Sequence, residues 1–194
     1  MIYIIRHGQT DLNKARVLQG RSDEPLNEEG AGQAEDAREM FARKGIAIDR
    51  IWSSPLQRAV QTAEIVAGSE APMVTDESLL EMDYGPYEGA DLLSPPPEII
   101  EFFSDFVNNP APEGMEPLQS VVDRLGLFME HLKTEISEDE NVLLSTHAIA
   151  MKGALEYLTP QSKGSYWAKH IANCEVYVTE LIDGEFTVPT KLGE

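Results

Sequence analysis

Along the chain, short runs rich in consecutive apolar residues alternate with longer stretches in which apolar residues recur every three or four positions. The runs at 2–5, 48–52 and 142–145 predict strands covered on both faces. Between the first two, Ala31, Ala34, Ala37, Met40 and Phe41 share one helical face, and Asn27 stands where an N-cap belongs. Ser54 followed by Pro55 reads as the N-cap and first position of a second helix. Val121, Leu125, Phe128, Met129 and Leu132 form the stripe of a third. Near the end, "CEVYVTELIDGEFTV" holds two strand-like runs around Asp183-Gly184, a type I′ hairpin signal. Strands and helices alternating in this way predict an α/β fold, a three-layer α/β/α sandwich with a mostly parallel central sheet.

Composition narrows the picture. A chain of 194 residues, 42% of them hydrophobic, can bury one substantial core, and no repeat or linker divides it, so residues 1–194 are expected to form one domain. Residues 93–114, "LSPPPEIIEFFSDFVNNPAPEG", have prolines at both ends and an apolar centre, the pattern of an inserted lid over a site. Core packing by Phe102, Phe103 and Phe106 is the other use of that centre, and the two uses are compatible. The one cysteine, Cys174, excludes an internal disulfide and argues against a structural zinc site; a reducing cytoplasm fits best. The apolar run after Met1 is too short for a signal peptide, and no later one approaches the ~20 residues of a membrane span. No export and no membrane attachment are expected. A net charge of −19 repels nucleic acid, so any anion must be bound by local cations. The sequence does not specify an oligomeric state.

Those cations stand at predicted strand ends. Arg6 and His7 follow the first strand, Ser53 and Ser54 the second, and Thr146 and His147 the third, while Arg58 falls on the first turn of the helix after Pro55. Sites in parallel α/β sheets lie beyond the carboxyl ends of strands, so these groups are expected on one rim. Two arginines and two histidines there suit a doubly charged phosphoryl group. Neither GxSxG nor GxxxxGK[ST] occurs, which removes the serine-elbow and Walker-loop alternatives.

On these residues the chain resembles the histidine phosphatase superfamily, the phosphoglycerate mutase-like family. The matching segments are "RHGQT" with Asn13 three residues on, "QGRSDEPLNEEGAGQA" from Gln19, "SSPLQRAVQTAEI" from Ser53, "LLEMDYGPYEG" from Leu79, "PEGME" from Pro112 and "STHAIAMKG" from Ser145. They occur in the family's order and cover most of the chain. The resemblance implies a phosphoglycerate mutase-like fold, His7 as the nucleophile, and Arg6, Arg58 and His147 around the transferred phosphoryl group. It implies Glu81 as the general acid, a role that needs a raised pKa, with Asp83 and Glu88 as the nearby alternatives. Asn13, Gln19, Gly20, Arg21 and Ala148 are the implied substrate contacts. Ala148 stands where the family has glycine, and a left-handed backbone there would be strained. No metal and no cofactor are expected, because the arginines supply the charge a metal would bring. "RHGQTDL" lacks the RHGxRxP pattern of the secreted acid phosphatase and phytase branch.

The expected function is metal-independent hydrolysis of small-molecule phosphate esters through phosphohistidine at His7. The alternatives are a phosphoglycerate mutase and a non-catalytic phosphate-binding protein. No lysine or arginine occurs between Arg58 and Arg124, while acids are frequent there. That imbalance predicts hydrolysis rather than mutase chemistry, and a leaving part that is neutral, apolar or cationic. The opposite follows if Arg16, Arg21 or Lys169 brings charge to the pocket. Arg16 and Arg21 either line the pocket mouth or sit in solvent; His131 and His170 read as structural or surface residues. The sequence does not choose among α-ribazole phosphate, a sugar phosphate and a phosphoglycerate as substrate.

Overall fold

Ile2 and Ile4 pack into one core and Tyr3 and Ile5 into another, so the first strand is buried on both faces. The computed structural model describes residues 1–68 and 70–193. In chain order the elements are β1 (Ile2–Arg6), α1 (Asp11–Lys14), α2 (Glu28–Arg43), β2 (Arg50–Ser53), α3 (Gln57–Ala67), β3 (Met73–Thr75) and α4 (Pro97–Ser104). There follow α5 (Leu118–Glu135), β4 (Val142–Thr146), α6 (Ala148–Leu158), β5 (Val176–Thr179), β6 (Leu181–Ile182), β7 (Glu185–Phe186) and β8 (Thr190–Lys191). The main sheet has the order β3-β2-β4-β1-β5-β8. Its β3, β2, β4 and β1 run parallel, and β5 lies antiparallel to both β1 and β8. The expected α/β class with a mostly parallel sheet is what the chain adopts.

Each face of the sheet has its own helical cover. Ala34, Ala37 and Phe41 of α2 and Ala63 and Val66 of α3 close one core over Tyr3, Ile5 and Ile51. The predicted stripe of α5, from Val121 to Leu132, closes the other together with Ala150, Met151 and Leu155 of α6. Helices α5 and α6 approach closely because Gly126 faces the Tyr157 ring and Gly153 faces Val121; a Cβ added at either would stand 2.5 or 2.8 Å from those groups. Phe102 and Ile99 of α4 are buried in this second core, and the rings of Phe102, Phe103 and Phe106 meet tilted or edge-on with centroids 4.9–5.4 Å apart. The aromatic centre of residues 93–114 therefore does pack as core.

Two boundaries differ from the sequence reading. The second strand begins at Arg50 rather than at residue 48. Helix α3 begins at Gln57 with Leu56 as N-cap, so Ser54 and Pro55 are not its cap and first turn. The Ser54 hydroxyl is instead committed to His147 at 2.8 Å, and Pro55 lies ahead of the helix. Asp23 Oδ1 accepts from Gln57 N–H at 2.7 Å and caps the helix from another loop. The Asp183-Gly184 hairpin forms with both residues at positive φ, 51° and 78°, as a type I′ turn requires. It joins only β6 and β7 in a sheet of their own, while β5, the start of the same run, belongs to the main sheet.

Candidate active site

The register of three neighbouring parallel strands brings the chemistry to one rim. Arg6 pairs with Thr146 across β1 and β4, and Ser53 with Ser145 across β2 and β4. The ladder continues one residue past the strands: His7 N–H donates to Thr146 O at 2.9 Å and Ser54 N–H to Ser145 O at 2.9 Å. His7, Ser54 and His147 are thereby held side by side. Beyond His7 the chain docks on α2, and Gly8 and Gly30 allow it. A Cβ on Gly8 would stand 2.4 Å from Gly30 O, and one on Gly30 would stand 2.0 Å from Gln9 O.

His7 is 4% exposed, and its ring is oriented from both sides. Nδ1 lies 2.6 Å from Gly8 O. A carbonyl only accepts, so Nδ1 carries the proton of the neutral ring and Nε2 holds a bare lone pair. Arg58 Nε donates to that Nε2 at 3.3 Å. Burial, then Arg58, then Arg6, pushes the His7 pKa well below 6.5, so the ring is neutral at pH 7. Its backbone is fixed as well, because Asn173 Nδ2 donates to His7 O at 2.9 Å. The rings of His7 and His147 meet edge-on at 5.1 Å. His147, fully buried, is likewise held neutral, chiefly by burial and next by Arg58.

Arg58 is fully buried on the first turn of α3, where its other two nitrogens grip a loop. Nη2 donates to Gly20 O and Nη1 to Ser22 O, both at 2.6 Å. The amides of the same loop are taken by Glu88, which accepts from Gly20 N–H at 2.9 Å, Ser22 N–H at 3.2 Å and Ser22 Oγ at 2.7 Å. Gly20 is thus a support for Arg58, and Glu88 is a clamp with its oxygens engaged. Of the five guanidinium N–H groups of Arg58, these contacts use three, which leaves two for a ligand. Arg6 donates from Nη1 to Ile171 O at 2.6 Å.

Among the described residues, four buried side-chain polar atoms have no partner, and three of them are Arg6 Nε, Gln19 Nε2 and His147 Nδ1. Gln19 Oε1 accepts from Thr10 Oγ1 at 2.7 Å and Asn13 Nδ2 at 3.3 Å, which turns the amide so that Nε2 is the free end. Unpaired buried polar groups cost about 1–3 kcal/mol each, so the donors Arg6 Nε and Gln19 Nε2 mark places for an acceptor-bearing ligand.

Glu81 sits against the N-terminus of α6. Oε1 accepts from Met82 N–H at 2.9 Å, Ile149 N–H at 3.1 Å and Ala150 N–H at 2.9 Å, while Oε2 shares only the Ile149 amide. Its charge reaches both Arg6 and Arg58. Asp83, by contrast, is half-exposed and faces Arg21 at 3.7 Å. Arg21 also pairs with Glu116 at 3.7 Å, so this expected substrate contact is shared between two carboxylates. Ala148 opens α6 with ordinary helical backbone, and the strain anticipated for it does not arise.

Beside Arg6 lies a cavity of about 570 Å³ lined by Asn13, Arg16 and His170 together with Gln9, Gln33 and Asn173. A second cavity, of about 370 Å³, also reaches His170 and is walled by Phe103, Phe106, Trp167, Lys152 and Lys169. Lys152, buried on α6, donates to Trp167 O at 2.9 Å. Asn173 carries no motif, and Lys152, although inside "STHAIAMKG", has no role among those the resemblance implies. Sequence reading named Ser54 for the wrong task, and His170 is indeed at the surface but on the rim of both cavities. Among the described residues, no helix is long and apolar enough to cross a membrane and no group of three His, Cys, Asp or Glu could hold a metal.

Comparison with known proteins follows the same lines. The model of the histidine phosphatase superfamily (branch 1) matches residues 2–191. "Putative phosphoserine phosphatase 2" of Hydrogenobacter thermophilus is 30% identical over 190 residues, 95% of this chain and 90% of that protein. The 2,3-bisphosphoglycerate-dependent phosphoglycerate mutase of Parvibaculum lavamentivorans is 27% identical over 192 residues, 94% of this chain and 91% of that protein. The solved structure of Bacillus stearothermophilus YhfR superposes with a TM-score of 0.85 at 27% identity, covering 100% of this chain and 96% of that one.

Proposed function

Because this chain belongs to the histidine phosphatase superfamily, branch 1, we propose that it is a metal-independent phosphomonoesterase acting on small-molecule phosphate esters through phosphohistidine at His7. The observation that carries this reading is the convergence of one bare nucleophile and several unspent donors. His7 Nε2 has a lone pair, Arg58 beside it keeps two N–H groups without protein acceptors, and the buried donors Arg6 Nε and Gln19 Nε2 and the ring atom His147 Nδ1 have no protein partner. Phosphoryl transfer is mostly positioning and charge stabilisation, which such a cradle supplies.

In this reading His7 Nε2 attacks phosphorus as the ester P–O bond breaks, and Arg58 Nε shifts its hydrogen bond from Nε2 to a phosphoryl oxygen. The departing oxygen takes a proton from Glu81, for which Oε2, the less engaged oxygen, is the route. Water then attacks the phosphorus and gives a proton to the Glu81 carboxylate. The N–P bond breaks, and inorganic phosphate leaves with His7 restored. The cavity beside Arg6 gives water its approach.

The test is a rapid quench at neutral pH with a ³²P-labelled ester in the presence of excess chelator. The label is expected on His7, in a burst, with turnover unaffected by chelation. His7→Ala should remove both label and turnover. Label on His147, no labelled histidine, or rescue by a divalent ion rejects the proposal. Conversion of 3- to 2-phosphoglycerate, primed with bisphosphoglycerate and far faster than hydrolysis, replaces it with the mutase reading.

A further inference from the structure

The sequence alone points to a leaving part that is not anionic, since no cation lies between Arg58 and Arg124. The cavity beside Arg6 reverses that expectation. The chain has 34 acids among 194 residues, yet no aspartate or glutamate lines this cavity. Its walls carry Arg16, His170 and the amides of Gln9, Asn13, Gln33 and Asn173. In a protein of net charge −19, a donor-rich wall with no acid in it requires an explanation.

Arg16 is unusual on three counts. Its side chain makes no ion pair or hydrogen bond among the described residues, although the exposed Arg38 and Arg43 each find a glutamate. It follows the end of α1 with φ at 55°, in the left-handed region where glycine or asparagine is favoured. Finally, the strained backbone is pinned on both sides. Arg16 N–H donates to Asn13 O at 3.1 Å and Arg16 O accepts from Leu92 N–H at 2.8 Å. A bulky cation held in a glycine-type conformation at the mouth of a cavity is the kind of local cost that function retains.

Resting on the phosphatase reading of the adjoining site, we infer that Arg16 and His170 form a second anion subsite for a carboxylate on the leaving part of the substrate. The phosphoryl group lies with His7 and Arg58, Arg6 stands at the junction, and the cavity extends from there to Arg16 and His170. A guanidinium fork matches a carboxylate in two parallel hydrogen bonds, and His170 adds a further donor. The preferred ester therefore carries an acid group beyond its phosphate.

3-Phosphoglycerate and glycerol 3-phosphate test this, because they differ only in carboxylate against hydroxymethyl. The wild type should favour 3-phosphoglycerate in kcat/KM by about tenfold, the scale of one charge-assisted contact at a solvated mouth. Arg16→Gln should erase that preference while glycerol 3-phosphate hydrolysis stays within about twofold of wild type. Equal rates in the wild type, or equal losses on both esters in Arg16→Gln, overturn the subsite. Calorimetric binding of both esters to His7→Ala, with and without Arg16→Gln, reads the subsite without turnover. Tighter binding of 3-phosphoglycerate that depends on Arg16 supports it even if no ester is hydrolysed, in which case only the phosphatase reading fails. Equal binding of the two esters overturns it.

Discussion

His7 and His147 are both buried and both held neutral, and this ties stability to pH. Burial and the arginines push each folded-state pKa well below the 6.5 of an unfolded histidine. Below pH 6.5 the unfolded chain therefore takes up protons that the folded chain refuses. The stability contributed by the two groups is complete above 6.5 and is lost as pH falls toward the folded values. The slope from the pair approaches about 2.7 kcal/mol per pH unit. Urea unfolding between about pH 7.5 and 5.5 should show it, and His147→Asn should remove about half of that slope. An unchanged slope would mean that His147 titrates normally in the fold. At this scale the sequence was informative where chemistry sits in contiguous motifs: Arg6, His7, Arg58 and His147 stand at strand or helix ends and meet on one rim. Ser54 was misread because its hydroxyl suits a helix cap as well as a histidine, and only the register of β2 against β4 decides between them. Asn173 reaches His7 from 166 residues away, a pairing that spacing cannot reveal.

Among the elements, legibility followed the number of faces an element buries. Helices α2 and α5 each have one apolar stripe against one core, and both were readable from period alone. Helix α6, "AIAMKGALEYL", buries Ile149, Ala150, Met151, Lys152, Gly153, Ala154 and Leu155 in succession, so it shows no stripe and gave no period to read. Strand β3 is three residues long at the sheet edge and gave no run. The docking of the Gly8–Gln9 segment on α2 makes a prediction of its own. Alanine in place of a helical glycine ordinarily stabilises by about 0.5–1 kcal/mol. At Gly30 the added Cβ would meet backbone at 2.0 Å, and neither chain can yield without moving Gln9, two residues from His7. Gly30→Ala should therefore destabilise by about 2 kcal/mol and lower kcat/KM together with it. Chemical denaturation alongside a p-nitrophenyl phosphate assay checks both, and a stabilised, fully active variant would refute the close approach.

Over the whole molecule, charge could be counted from the sequence but not assigned. Arg21, Arg38, Arg43, Arg50, Arg124, Lys133 and Lys191 are each drawn to a carboxylate. Arg6, Arg16, Arg58, Lys152 and Lys169 make no ion pair among the described residues and stand around the site and its two cavities, whereas Lys14, Lys44 and Lys163, also without one, line neither cavity. Which cations remain unneutralised depends on which acids fold beside them, and that is a property of the tertiary structure. The same accounting applies to the loop between Gln19 and Ser22. Its carbonyls belong to Arg58 and its amides to Glu88, so it cannot lift away without stranding a cation and an anion at once. Surface loops usually exchange their amide hydrogens within seconds through independent small fluctuations, but here a single opening event must release Gly20 and Ser22 together. Hydrogen–deuterium exchange should find these two amides slow and matched in rate, and Glu88→Gln should speed both by the same factor, which would make this loop the gate through which the phosphoryl cradle is assembled and dismantled.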